Sequence, residues 1–199
     1  MVIPRVRILG AQICLLCAGV SVLLGQQVPS IAPNGVVSAA SFQAGIVPNS
    51  WVTIKGTNLS SVTATWDKSI VNGNLPTTLQ GVSVSMGGKP AYIAYVSPGQ
   101  VNAVAPDIRP GSTLVTVTNS AGTSQAATVT TSTFGPAFFL WEGKYAVATH
   151  QDLSWAVKDD TFHGVKTTPA KPGEAIILWG TGFGPTNPPA PSGVQVPSD

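Results

Sequence analysis

His150 and His163 stand with Asp152, Asp159 and Asp160 in one short stretch, the densest group of potential metal ligands in the chain. Two imidazoles and a carboxylate can hold zinc with a coordination position left open, and carboxylates can hold calcium. The spacing argues for something simpler. No H-E-x-x-H pattern is present. Asp159-Asp160 falls between Trp155-Ala156-Val157 and Thr161-Phe162, and His163-Gly164 reads as the next turn. A solvated loop is expected, with His150, Asp152 and His163 as the ligands if a metal were held, and no cofactor. The same two histidines are the only candidates for the base of a serine hydrolase. The nucleophile elbow G-x-S-x-G fails at Ser85 in Gly81-Val82-Ser83-Val84-Ser85. Gly180-Thr181-Gly182-Phe183-Gly184 is no dinucleotide loop, because Pro185 takes the third glycine position and Pro188, Pro189 and Pro191 forbid the helix that must follow.

Tryptophans offer a different chemistry, since an exposed indole beside polar groups suits a sugar ring or a partner protein. Trp51 is out of phase with Val52 and Ile54 and so faces away from them. Trp66 sits in the polar stretch Thr63-Ala64-Thr65-Trp66-Asp67-Lys68, and Trp141 precedes the turn Glu142-Gly143. These three are the ligand-binding candidates, with packing between two structural units as the alternative for Trp51 and Trp141. Trp155 and Trp179 are expected in the core.

The elements that would position these residues are strands. Gly and Pro are spread along the whole chain, which leaves little room for long helices. Trp51 to Lys55, Gly81 to Met86 and Thr113 to Thr118 alternate apolar and polar residues. Gly87-Gly88 marks a hairpin whose returning strand is expected over Lys89 to Val96, and Gln125 to Thr131 is expected to be a further strand. A turn, an apolar strand and a Gly-Thr-[Gly/Asn]-[Leu/Phe] corner occur at Asn49 to Leu59 and again at Pro172 to Phe183. At such a corner Gly takes a positive φ cheaply and the next apolar residue tucks into the core.

The amino terminus carries Arg5 and Arg7, then an apolar run from Ile8 to Leu24, then Gly25 and the polar pair Gln26-Gln27. That order is an export signal, read as a cleaved signal peptide over residues 1–25. An uncleaved anchor would need about 20 apolar residues. Cys14 and Cys17 both lie in this segment, so the exported chain would have no disulfide and no cysteine metal site. Loss of the two arginines takes the formal charge from +2 to 2 − 2 = 0. A neutral chain with 9% charged residues has no electrostatic footprint for nucleic acid or for an anionic membrane.

The paired corners resemble immunoglobulin-like IPT/TIG domains. Leu75 to Val84, the string Tyr95-Val96-Ser97-Pro98-Gly99-Gln100-Val101-Asn102-Ala103-Val104-Ala105-Pro106, and Pro172 to Pro185 resemble a C-terminal domain family of acidobacterial, Solibacter-type secreted proteins, as does Gly35 to Phe42. The resemblance implies an extracellular all-β architecture and no particular activity. Members of that family carry an Asn-x-Asp-Gly-like segment where this chain has His150-Gln151-Asp152-Leu153-Ser154, without the Gly. The expected organisation is an immunoglobulin-like sandwich over residues 31–133 and a second unit over residues 134–199. A whole sandwich of this kind takes about 100 residues, so the second unit is expected to be partial and the chain a truncated product or fragment. The expected function is an exported, non-catalytic adhesive or scaffolding module with an extracellular protein or polysaccharide as partner. The alternatives are a carbohydrate-binding module using Trp66 and a secreted hydrolase using His150 or His163.

Overall fold

Strands with an apolar residue at every second position must bury one face, and here two sheets bury theirs against each other. The computed structural model describes residues 27–196; the expected signal segment and both cysteines lie outside them. The first sheet has the order β1-β2-β8-β7-β3, made of β1 (Ser30–Ser38), β2 (Trp51–Thr57), β3 (Ala64–Thr65), β7 (Tyr92–Val96) and β8 (Gln100–Val104). The second is built on β9 (Gly111–Asn119), which pairs with β5 (Val82–Met86) along one edge and with β10 (Gly122–Thr123) and β11 (Ala127–Thr131) along the other. Short β4 (Thr78–Leu79) and β6 (Lys89–Pro90) flank β5. All these pairs are antiparallel. The described residues contain no helix, so none is long and apolar enough to cross a membrane. The chain is all-β, as its alternation predicts.

Between the sheets lies one aliphatic core. Val52, Ile54, Ile93, Val96 and Val101 come from the first sheet, and Val82, Val84, Met86, Val115 and Val117 from the second. Each fully buried aliphatic side chain contributes roughly 1.5–3 kcal/mol. The hairpin at Gly87-Gly88 forms as expected, with φ of 58° and 79° suited to a tight two-residue turn. Its returning strand differs from expectation. Lys89 and Pro90 stay with β5, whereas Tyr92 to Val96 join the first sheet. The chain changes sheets at Ala91, which is fully buried. Ala91 makes the last bond to β5, its N–H donating to the carbonyl of Val84 at 2.9 Å, and its small side chain fits the crossing.

The two corners are alike in backbone and unlike in packing. In the first, Asn58 takes the positive φ of 56°. Gly56 is needed for a different reason: a Cβ there would collide with the carbonyl of Ser30. Asn119 reaches across from the second sheet, its Nδ2 donating to the carbonyl of Asn58 at 2.8 Å. Leu59 then enters the core with no exposed surface. In the second corner Gly182 takes the positive φ of 78°, but Phe183 is 56% exposed, against the expectation that it tucks inward. Its ring meets Phe138 at 5.9 Å between centroids instead.

The reason is the architecture of the second segment. It consists of three two-stranded ladders: β12 (Ala137–Phe138) with β17 (Gly180–Thr181), β13 (Leu140–Trp141) with β14 (Tyr145–Ala146), and β15 (Ala148–Thr149) with β16 (Ile177–Leu178). No second sheet faces them among the described residues. Their junction is a ring of three backbone bonds. Val147 N–H donates to Phe139 at 2.8 Å, Phe139 N–H to Trp179 at 3.0 Å, and Trp179 N–H to Val147 at 3.0 Å. One strand, residues 177–181, is thereby shared between both arms of the 137–149 hairpin.

Leu59→Ala is expected to cost about 2–5 kcal/mol in urea unfolding, since it empties a buried site. Phe183→Ala, at a corner of the same backbone form whose ring is half exposed and meets only Phe138 among aromatic rings, is expected to cost about 1 kcal/mol. Equal losses would show that the second corner is packed like the first.

Candidate binding face

Because Val52 and Ile54 point into the core, their neighbours Trp51, Thr53 and Lys55 must point out. Register places Thr53 opposite Asn102 and Trp51 opposite Val104. On the far side of β8, Tyr95 lies opposite Asn102, and Tyr92 opposite Val104. A bulge between Ile93 and Tyr95 keeps both tyrosines on this outer face. Trp66 directly follows β3, its N–H held by the carbonyl of Ala94 at 3.0 Å. Its ring meets Trp51 edge-on, with centroids 5.4 Å apart and planes at 66°. Two of the candidate tryptophans, separated by a loop in sequence, thus form one half-buried pair.

Beside the ring pair, further along β2 and β8, runs a polar network. Thr53 Oγ1 donates to Asn102 Oδ1 at 3.1 Å. Gln100 Nε2 donates to the same oxygen at 2.9 Å. Gln100 and Asn102 belong to the distinctive Ser97-Pro98-Gly99-Gln100-Val101-Asn102 string, but sequence reasoning did not name them as site residues. The signal was their alternation with Val101 and Ala103, which puts both amides on the face shared with Trp51. Trp51 also meets the second segment, its backbone N–H donating to Thr181 Oγ1 at 2.9 Å. The alternative of packing between units therefore applies to its backbone, while its ring packs on Trp66.

Trp141 is elsewhere. It packs with Trp155 and Phe162, each pair of rings 5.4 Å apart. The trio is a partly exposed aromatic cluster rather than a sealed core. Trp155 and Trp179 depart from the expected core placement: they are 40% and 43% exposed. Among the described residues no opposing sheet lies over these short ladders to cover them. Trp179 keeps its indole N–H satisfied by Thr149 Oγ1 at 3.1 Å.

The histidine stretch resolves into separate parts. His150 Nδ1 lies 2.5 Å from Glu174 Oε1, and its Nε2 lies 3.0 Å from the carbonyl of Thr168. Both partners are acceptors, so the doubly protonated imidazolium is the form that satisfies both nitrogens. Asp152 instead closes its own turn, accepting from the N–H and hydroxyl of Ser154 at 2.9 and 2.6 Å. His163 is exposed and lines an open depression of about 700 Å³ with Glu142, Asp159 and Asp160. No group of three or more His, Cys, Asp or Glu side chains among the described residues is arranged to hold a metal ion. Glu174 was missed in the sequence because it lies 24 residues from its partner.

The bond to Thr168, and then Glu174, raise the pKa of His150 above the ordinary 6.5. The backbone N–H of Lys171, and then His150, lower that of Glu174 below 4.5. The histidine's contribution is complete below pH 6.5 and is lost as pH rises through its raised folded value. That of Glu174 is present above pH 4.5 and is lost as pH falls through its depressed value. The clamp is therefore strongest between these limits. An NMR titration of the His150 ring is expected to give a midpoint above 6.5 that moves down in Glu174→Gln. An unchanged midpoint in that variant would remove Glu174 from the clamp.

Comparison with known proteins bears on the sandwich. No curated protein matches the chain. Among solved structures, a γ-CGTase from alkalophilic Bacillus clarkii is similar at 16% identity and a TM-score of 0.38, over 67% of this chain and 15% of that one. An auxiliary nutrient binding protein from Bacteroides ovatus is similar at 17% identity and a TM-score of 0.30, over 62% of this chain and 29% of that one. The chain thus spans under a third of the length of either protein. Residues 40–134, which hold most of the two facing sheets and the whole Trp51–Trp66 face, match the IPT/TIG domain family.

Proposed function

We propose that this chain is an exported, non-catalytic immunoglobulin-like module with an adhesive or scaffolding role, and that the outer face of its first sheet is the working surface. The observation that carries this is the convergence of Trp51 and Trp66, from β2 and the end of β3, beside the Thr53–Asn102–Gln100 network. Aromatic rings next to fixed amides supply apolar contact and directional bonds together, which is what recognition requires. Export is supported by the order of Arg5 and Arg7, the apolar run and Gly25 at the amino terminus. An extracellular protein or polysaccharide suits the neutral exported chain, whose zero net charge gives no electrostatic pull on nucleic acid or anionic lipid. The domain reading is a signal segment over residues 1–25, a sandwich over residues 31–133 and a second unit over residues 134–199.

The hydrolase alternative is weakened by chemistry at His150. Both ring nitrogens are engaged with acceptors, so the ring has no free lone pair with which to take a proton from a nucleophile.

Beads coated with the full chain are expected to bind the insoluble envelope fraction of cells that produce it. Trp66→Ala is expected to weaken that binding about tenfold, and His150→Ala to leave it unchanged. Undiminished binding by Trp66→Ala would take the working surface away from this face. Release of soluble product from the envelope that stops in His150→Ala or in His163→Ala would replace the module with a hydrolase.

A further inference from the structure

We infer that the outer face of the first sheet recognises an uncharged saccharide chain, with Asn102 and Gln100 reading its hydroxyls and Trp51, Trp66 and Tyr95 packing on its apolar ring faces. This rests on the reading that the face is the working surface and adds the chemical class of the ligand.

The polar network fixes the orientation of its own amides. Oδ1 of Asn102 accepts from Thr53 and from Gln100. Those two bonds occupy the oxygen and turn the Nδ2 donors away from it. Gln100 spends an Nε2 hydrogen on this bond and keeps its carbonyl oxygen as an acceptor. Donor and acceptor groups therefore sit side by side on one strand, two residues apart and about 7 Å along it. Adjacent sugar hydroxyls, each a donor and an acceptor, match such a pair. A peptide would instead seek a free strand edge, and β8 is paired on both sides.

Charge selects against ionic ligands. Lys55, the cation in the outward row of β2, lies over the Phe42 ring at 5.2 Å. Asp67, next to Trp66, accepts from the Thr65 hydroxyl at 2.5 Å. The two charges are opposite in sign and cancel, so the face has no net charge with which to draw an ionic ligand. Size selects against a large protein. A stable protein partner takes about 800 Å² a side around protruding anchors, whereas both indoles here are half-buried and meet edge to face.

The face also has a direction. Val104, beside Trp51, opens onto a depression of about 400 Å³ walled by Pro185, Pro189 and Val194. The wall is held down where Gly193 lies on Tyr92, so closely that a Cβ there would overlap the tyrosine ring. A chain lying across β8 can continue from the tryptophan pair into this depression.

Affinity electrophoresis of the full chain in gels cast with amylopectin, arabinoxylan or barley β-glucan tests the proposal, with polygalacturonate as the charged comparison. At least one neutral polymer is expected to retard the protein more than polygalacturonate does. Asn102→Asp, which replaces the Nδ2 donors by an acceptor of the same shape, is expected to raise the Kd about tenfold. Gln100→Ala is expected to do so too, with unchanged circular dichroism, and Trp155→Ala to bind as the parent does. No retardation by any neutral polymer, equal or stronger retention by polygalacturonate, or full retention in both Asn102→Asp and Gln100→Ala would overturn it. Trp66-dependent binding to the cell envelope without retardation by these polymers would sink the saccharide assignment and leave the module standing. Loss of both would sink both.

Discussion

One seam of aliphatic side chains between two sheets governs the rest of this molecule. Val52, Ile54 and Val101 face Val84, Val115 and Val117 across it, all with essentially no exposed surface. Side chains alternate along a strand, so every inward commitment fixes an outward one. A slip of one residue in β2 would put Trp51 and Thr53 in the core and Ile54 in water. The outer face that carries Trp51, Gln100 and Asn102 is thus a by-product of the core's register. Its residues are rigid because the strands beneath them cannot shift without breaking the seam.

The second segment shows what happens where such a seam is missing. Its ladders share one strand around a ring of three backbone bonds. That ring satisfies polar groups but buries little apolar surface. Aromatic side chains take up part of the burden: Trp141, Trp155 and Phe162 pack on one another, and Phe138 on Phe183. Ile177, Leu178 and Trp179 point alternately to the two faces of their strand and all stay partly exposed, because among the described residues no opposing layer closes over either face. The His150–Glu174 clamp ties two turns of this segment with charge, which requires no core.

Much of the candidate face follows from simple alternation. Trp51 is out of phase with Val52 and Ile54, and that alone turns it outward. The same rule applied to Gln100-Val101-Asn102 would have found the two amides. Trp66 is different, because no periodicity surrounds it. Its meeting with Trp51 depends on β3 pairing with β7 at the edge of the sheet, a contact made across the whole sheet rather than along the chain.

The sequence by itself determined the all-β class, the tight turn at Gly87-Gly88 and the outward direction of Trp51, because these depend on local conformational preference and a two-residue period. It also determined that two stretches would form the same backbone corner. Only the tertiary structure decided that Leu59 would be buried at one corner and Phe183 exposed at the other, since burial needs an opposing layer and not a local signal. It decided likewise that the chain changes sheets at Ala91, that His150 meets a glutamate 24 residues away, and that Trp155 and Trp179 stay near water. Each of these depends on which surfaces meet, and a strand's own residues do not specify its neighbours.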